Sequence, residues 1–310
     1  MLRGDGDPVA ASLVRALKRR DLAEVRSTLA DYEGHDRSLL LVAVSEHGSP
    51  AYRWLRGDPR MGEDEALDRL LLGSLTIGCA WRERTNARAQ RVSPQKFAIF
   101  HTLLREAEEH LYAVAELEPS WAEPWSLLIT SGRGLQRGIE INQRRFEAAV
   151  MRCPGHRVAH EQMLQTLCRK WSGSHERMHA FAAEAARGPY QSTLAHLVAI
   201  AHLEHRLDMK GGGSARRPYM KQQEVRAELK EAAELSIFSV READPRSPYF
   251  DANVFAMAFN LAGMYSEAKR AFELTNGVVT RFPWQYGNSR DLVTTFAHQR
   301  RRARFSRATS

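Results

Sequence analysis

Three prolines, Pro119, Pro154 and Pro189, stand 35 residues apart. The stretches that carry them are alike in kind: AVAELEPSWAEPW, AAVMRCPGHRVAH and AEAARGPYQSTLAH. Phe146 and Phe181 each lie eight residues before their proline, and Leu111 holds that place before Pro119. Proline has no N–H with which to continue a helix, so each one closes one helical segment and opens the next. A fixed period near 34 residues with a closing proline is the pattern of a two-helix repeat. A single hairpin buries only part of its apolar face, so such units must stack.

The stretches between the prolines agree. In HTLLREAEEHLYAVAELEP, Leu104, Ala107, Leu111 and Val114 follow the spacing of one buried helical face. Small Ala107 admits a neighbouring helix and Leu111 fills the groove beside it. After Pro245, RSPYFDANVFAMAFNLAGMYSEAKRAFELTNG predicts a further pair, with Gly263 and Tyr265 at its bend and Ala268 and Phe272 on its second helix. EDEALDRLLLGSLTIGCAWRER and SPQKFAIFHTLLREAEEHL form a pair upstream, joined by the polar TNARAQRV. Strand-like alternation is nearly absent.

The expected fold is therefore all-α: a right-handed α-solenoid of antiparallel helix hairpins, with degenerate repeats of period about 35. One continuous domain is expected over 1–298. Irregular N-terminal helices fill 8–60, and repeat-like units cover 63–119, 120–154, 155–189, 190–245 and 246–277. The segment DMKGGGSARRP (208–218) reads as a flexible insertion, with Lys210, Arg216 and Arg217 as anion contacts in an alternative reading.

The residues Trp125 and Leu128 in a W-x-x-L frame, the phenylalanine in the second helix and the closing proline resemble the tetratricopeptide repeat. The stretches AEPWSLLITSGRGLQ, LCRKWSGSHERMHAFAAEAARG, AHLVAIAHLEH and RFPWQYG are similar to a group of uncharacterised actinobacterial proteins with a tetratricopeptide-like helical fold. The resemblance runs from about residue 10 to 298. It implies a fold and carries no activity with it.

Charge and composition exclude several classes. The formal net charge is +8, and Arg300, Arg301, Arg302, Arg304 and Arg307 supply five of those charges without an acid among them. The body is near balance, which argues against a broad basic face for a duplex. The tail 299–310 reads as disordered, with nucleic-acid contact through its arginines as the alternative. The longest uncharged apolar run, Leu70 to Trp81, is too short to span a bilayer and suits a buried helix. No export signal is legible at the N-terminus. Cys79, Cys153 and Cys168 are odd in number and widely spaced, which fits buried thiols in a reducing cytoplasm. No P-loop or G-x-S-x-G is present.

One motif carries chemistry. His175-Glu176-Arg177-Met178-His179 spells H-E-x-x-H. On a helix, residues four apart share a face, so both histidines reach one ion and Glu176 would be the general base acting on metal-bound water. If the chain turns at Gly188–Pro189 and runs back, His179 faces about residue 200 and His175 about residue 204. The stretch AHLEH then offers His202, Glu204 and His205 as further ligands, with zinc as the implied cofactor. Against this, Arg177 brings a fixed positive charge. The helix also has a complete structural account: Ser174 as N-cap, Glu176 on the dipole, and a buried stripe of Met178, Phe181, Ala182 and Ala185.

The leading expectation is thus a non-catalytic interaction module without a cofactor, holding a peptide or partner protein in a concave groove. Trp125, Arg133, Arg137, His160, Gln162 and His196 are the expected groove residues. The alternative is a metal-binding protein or metal-dependent hydrolase built on the H-E-x-x-H.

Overall fold

The computed structural model describes residues 7–47, 49–84, 93–171, 173–210, 212–239, 249–287 and 291–305. Every regular element among them is helical. The helices fall into two compact units, residues 8–166 and 167–310.

The N-terminal unit comprises α1 (Pro8–Arg19), α2 (Leu22–Ala30), α3 (Gly34–His47), α4 (Ser49–Leu55), α5 (Glu65–Arg84), α6 (Pro94–Leu117), α7 (Glu123–Gly134), α8 (Ile139–Arg152) and α9, which starts at Arg157 and ends at Leu167. α6 opens on Ser93, whose side chain accepts the Lys96 N–H, with Pro94 in the first turn, where its missing N–H costs nothing. Leu104, Ala107, Leu111 and Val114 are all fully buried, as their spacing predicts. The close approach of α5 and α6 is made at Gly73. A methyl group there would meet Leu111 Cδ2 at 2.9 Å, so Leu111 fills the space that the glycine leaves. The connection 85–92 lies outside the described residues.

Buried charges in this unit are paired. Glu108 of α6 accepts from Ser131 of α7 at 3.0 Å, and from Arg145 of α8 at 2.9 Å and Arg137 at 3.0 Å. One carboxylate thus ties three helices. Asp68 receives Arg26 through two nitrogens, at 2.9 and 2.8 Å.

The C-terminal unit opens with a short 3₁₀ turn, Arg169–Trp171, followed by α10 (His175–Arg187), α11 (Gln191–Leu194), α12 (His196–Asp208), α13 (Gly212–Met220), α14 (Gln223–Leu235), α15 (Phe250–Ala262), α16 (Tyr265–Leu274), α17 (Arg281–Trp284) and α18 (Leu292–Phe305). α12 is buried from His196 through Glu204 and is the central helix of the unit. At the end of α15, Gly263 takes φ +75°, the left-handed conformation that glycine adopts without strain, and α16 follows with Ala268 and Phe272 buried.

The proline period has a direct structural counterpart. α6, α8 and α10 end at Leu117, Arg152 and Arg187, and each proline follows the C-cap residue. Two expectations are corrected. The segment 208–218 is not a loop throughout: α13 begins at Gly212, and burial of Tyr219 and Met220 anchors it. The tail is helical as far as Phe305. Phe296 and Ala303 are buried, and Asn260 donates to the Gln299 backbone oxygen at 2.9 Å, which fixes that turn. Arg307 lies outside the described residues. Among the described residues no helix is long and apolar enough to cross a membrane.

Candidate metal centre

The H-E-x-x-H begins α10. Ser174 is its N-cap and its side chain accepts the Arg177 N–H at 3.2 Å. Glu176 is fully exposed. Its carboxylate is held below its usual range by hydrogen bonds at the helix start, from its own backbone and from Ser174. It therefore caps the helix and stands in solvent. The buried stripe is Met178, Ala182 and Ala186, with Phe181 and Ala185 half-buried beside it.

His175 and His179 share the adjoining face, yet they go to different partners. The His175 ring stacks on His205 of α12, with centroids 3.7 Å apart and planes 8° from parallel, and its Nε2 lies 3.2 Å from Asp208. His179 reaches one turn deeper. Its Nε2 is 3.0 Å from His205 Nδ1 and 3.4 Å from the Tyr219 hydroxyl. His202 of α12 bonds Tyr219 through Nδ1 and Glu228 of α14 through Nε2, both at 2.8 Å.

The outcome is a continuous chain of titratable groups: Glu228, His202, Tyr219, His179 and His205. Within it, one ring nitrogen each from His179 and His202 and an oxygen of Glu228 all lie within 4.8 Å of one another. Glu204 is not part of this group. It is held by Lys170 at 2.7 Å and by the Tyr286 hydroxyl at 2.8 Å.

The environment sets the protonation states. Burial, then the neighbouring rings His202 and His205, lowers His179 to about 4. Burial, then His175 and His202, lowers His205 to about 4. The hydrogen bond from His202 holds Glu228 below the ordinary carboxylate range. Burial raises Tyr219, so its phenol stays protonated. Neutral imidazoles and an ionised carboxylate are the forms that ligate metals.

Sequence reasoning missed Glu228 and Tyr219. Glu228 lies 26 residues after His202 in QEVRAELKEAAEL, where it is one of several acids on an amphipathic helix. The acids of α14 are all exposed, and only its bond to His202 distinguishes Glu228.

The expected groove residues have varied surroundings. In the N-terminal unit, Arg133 donates to Gln162 at 2.9 Å and lies over the Trp81 ring. Arg137 bonds Glu108, and the Arg152 guanidinium covers half-buried Trp125. His160 is buried edge-on against Phe146. In the C-terminal unit, His196 is fully buried with Nδ1 3.0 Å from the Thr193 carbonyl oxygen. Two of the six are therefore interior side chains, placed there because each occupies the core side of its helix.

No protein-family model matches the chain, and no curated protein is significantly similar to it.

Proposed function

We propose that this chain binds a divalent transition-metal ion, with His179, His202 and Glu228 as ligands. The observation that carries the reading is the convergence of those three donors from α10, α12 and α14 within 4.8 Å. Zinc fits the donor set: imidazole and carboxylate bond it at about 2.0–2.2 Å, which keeps tetrahedral ligand atoms roughly 3.3–3.6 Å apart. Glu228, whose side chain is 54% exposed, is the donor of the three with most freedom to adjust. A metal on His202 Nε2 would need that ring's proton on Nδ1, where it would donate to the Tyr219 hydroxyl. Acid would compete with the ion for the imidazole and carboxylate donors, so affinity falls with acidity. Tyr219 on the far nitrogen of His202 holds that ring in place. Glu176 stands outside this arrangement, so the reading is of a binding site and assigns no hydrolytic step.

Calorimetric titration with zinc checks it. One site per chain is expected, and affinity should fall at least about a hundredfold in His179→Ala and His202→Ala. Substoichiometric binding, or unchanged affinity in both variants, overturns the reading.

A second reading rests on a different observation, the 35-residue spacing of the ends of α6, α8 and α10. It is a tetratricopeptide-like array that holds a partner peptide on the hairpins of the N-terminal unit, with Trp125, Arg133, Arg137 and Gln162 as contacts. Peptide-array binding that is lost in Arg133→Ala supports it; binding that is indifferent to all four residues removes it.

A further inference from the structure

In the N-terminal unit, several arginines drawn out of the solvent meet acids. Arg26 meets Asp68, Arg37 meets Glu123 and Arg145 meets Glu108. One cavity of the C-terminal unit breaks that habit. It has a volume of about 420 Å³ and is lined by Arg206 of α12, Arg217 of α13, Lys221 just after α13, and His298 and Arg302 of α18, with Leu261 as an apolar wall. No carboxylate lines it among the described residues.

The side chains of Arg206, Arg217 and Lys221 make no hydrogen bond or ion pair among the described residues. Arg302 has only a neutral partner, the Tyr265 hydroxyl at 2.9 Å. Arg206 is half-buried, and the charged group near it is Arg216, another cation, itself turned to the Leu207 carbonyl. Both its burial and that neighbour act against its charge.

Arg217, Lys221 and Arg302 are exposed and Arg206 is half-buried, so four fixed positive charges share one concavity, and their repulsion is least screened at Arg206. An arginine cannot escape by losing its proton. The charge is tolerable when an anion enters. Guanidinium forks match the oxygen geometry of phosphate, and a lysine adds a point charge. The volume is in the range of small-molecule sites, about 300–1,000 Å³. The cations surround a cavity and do not form a stripe along a surface, which favours a compact ligand over a nucleic-acid strand.

We propose that this cavity binds a small polyphosphate anion carrying about four negative charges. The chemistry is shared by inorganic triphosphate and the triphosphate of a nucleotide. The site joins two basic features far apart in sequence, the 208–218 segment through Arg217 and the C-terminal arginines through Arg302.

Calorimetric titration of the full chain with inorganic triphosphate and with ATP, in buffer free of divalent metal, tests the assignment. One-to-one binding is expected. Affinity should fall at least tenfold in Arg206→Gln and in Arg217→Gln, and should weaken as salt rises. Equal affinity for the two ligands identifies the inorganic anion; tighter binding of ATP identifies a nucleotide. His179→Ala should keep full anion affinity, which separates this site from the metal centre. In the absence of anion, Arg206→Gln should melt no lower than the parent, because it removes an unneutralised charge. Should it melt lower, Lys221→Gln, an exposed position, carries the affinity measurement with the same tenfold loss expected. No binding at millimolar triphosphate overturns the proposal. So does affinity unchanged in the folded variants, or binding of an RNA oligonucleotide that survives them while triphosphate is ignored.

Discussion

Each unit has its own group of buried histidines, and the two are built differently. In the N-terminal unit, His156 is completely buried before α9. Its Nδ1 accepts the Ala159 N–H at 3.1 Å, so the ring carries its proton on Nε2, which faces Ser38 Oγ at 3.0 Å. His160 turns Nδ1 to the His156 carbonyl oxygen at 2.9 Å. The hydrogen bonds named here go to backbone groups and a serine hydroxyl, which fits rings that serve as structural pegs. In the C-terminal unit, His179 and His202 face other titratable side chains, and one of those, Glu228, is more than half exposed. A partner of that kind can be exchanged for an ion. Histidine content therefore says little about a site; what the ring nitrogens bond to decides.

The strongest way to break the comparison is to remove one ring from each group. His156→Ala should cost about 3–5 kcal/mol in urea unfolding, because it opens a cavity, removes a helix cap and strands Ser38. His179→Ala should cost less, about 1–2 kcal/mol, since it removes a half-buried ring and its hydrogen bond to His205. Equal costs would show that both groups are structural.

Acid comes next. Burial, followed by the neighbouring rings His35 and His160, lowers His156 to about 3, against about 6.5 in an unfolded chain. The unfolded state then binds more protons, so stability rises with pH through that window. It is complete above about 6.5 and is lost progressively as pH falls toward 3. Between pH 7 and pH 5 the N-terminal unit should lose about 2 kcal/mol, and unfolding curves at the two pH values measure it. A flat profile would mean that His156 keeps its charge when folded.

The smallest effect sharpens the other side. Tyr219→Phe removes the hydroxyl that orients His202, and zinc affinity should fall about tenfold, as for other groups that hold a ligand ring. Stability should change by less than about 1 kcal/mol. An unchanged affinity would place Tyr219 in packing alone.

Much of this architecture was legible in the sequence. The prolines located the ends of α6, α8 and α10, the periodicity located the buried face of α6, and Gly263 located the bend before α16. Ser174 and Glu176 were legible as a helix start. The partners of the two motif histidines were less so. Simple turning at Pro189 puts residue 204 opposite His175, whereas the ring found there is His205. The short helix Gln191–Leu194 intervenes before α12 and takes up chain that a plain hairpin would not. Glu228 and Tyr219 were invisible because they come from later helices, and no local spacing encodes how α13 and α14 pack on α12. The tail misled because its arginines outnumber its anchors: two buried apolar side chains, Phe296 and Ala303, and hydrogen bonds from Asn260 to Gln299 and from Arg302 to Tyr265 dock α18.

Trp284 has an optical consequence. Its indole is wholly buried, donates to Asn253 Oδ1 at 2.5 Å and sits between the rings of Phe272 and Phe296. The other five tryptophans are only half-buried, four of them in the N-terminal unit. Emission at the blue edge therefore belongs to the C-terminal unit and emission at the red edge chiefly to the N-terminal one. A single fluorescence melt read at two wavelengths gives each unit its own transition, without a label and without cutting the chain.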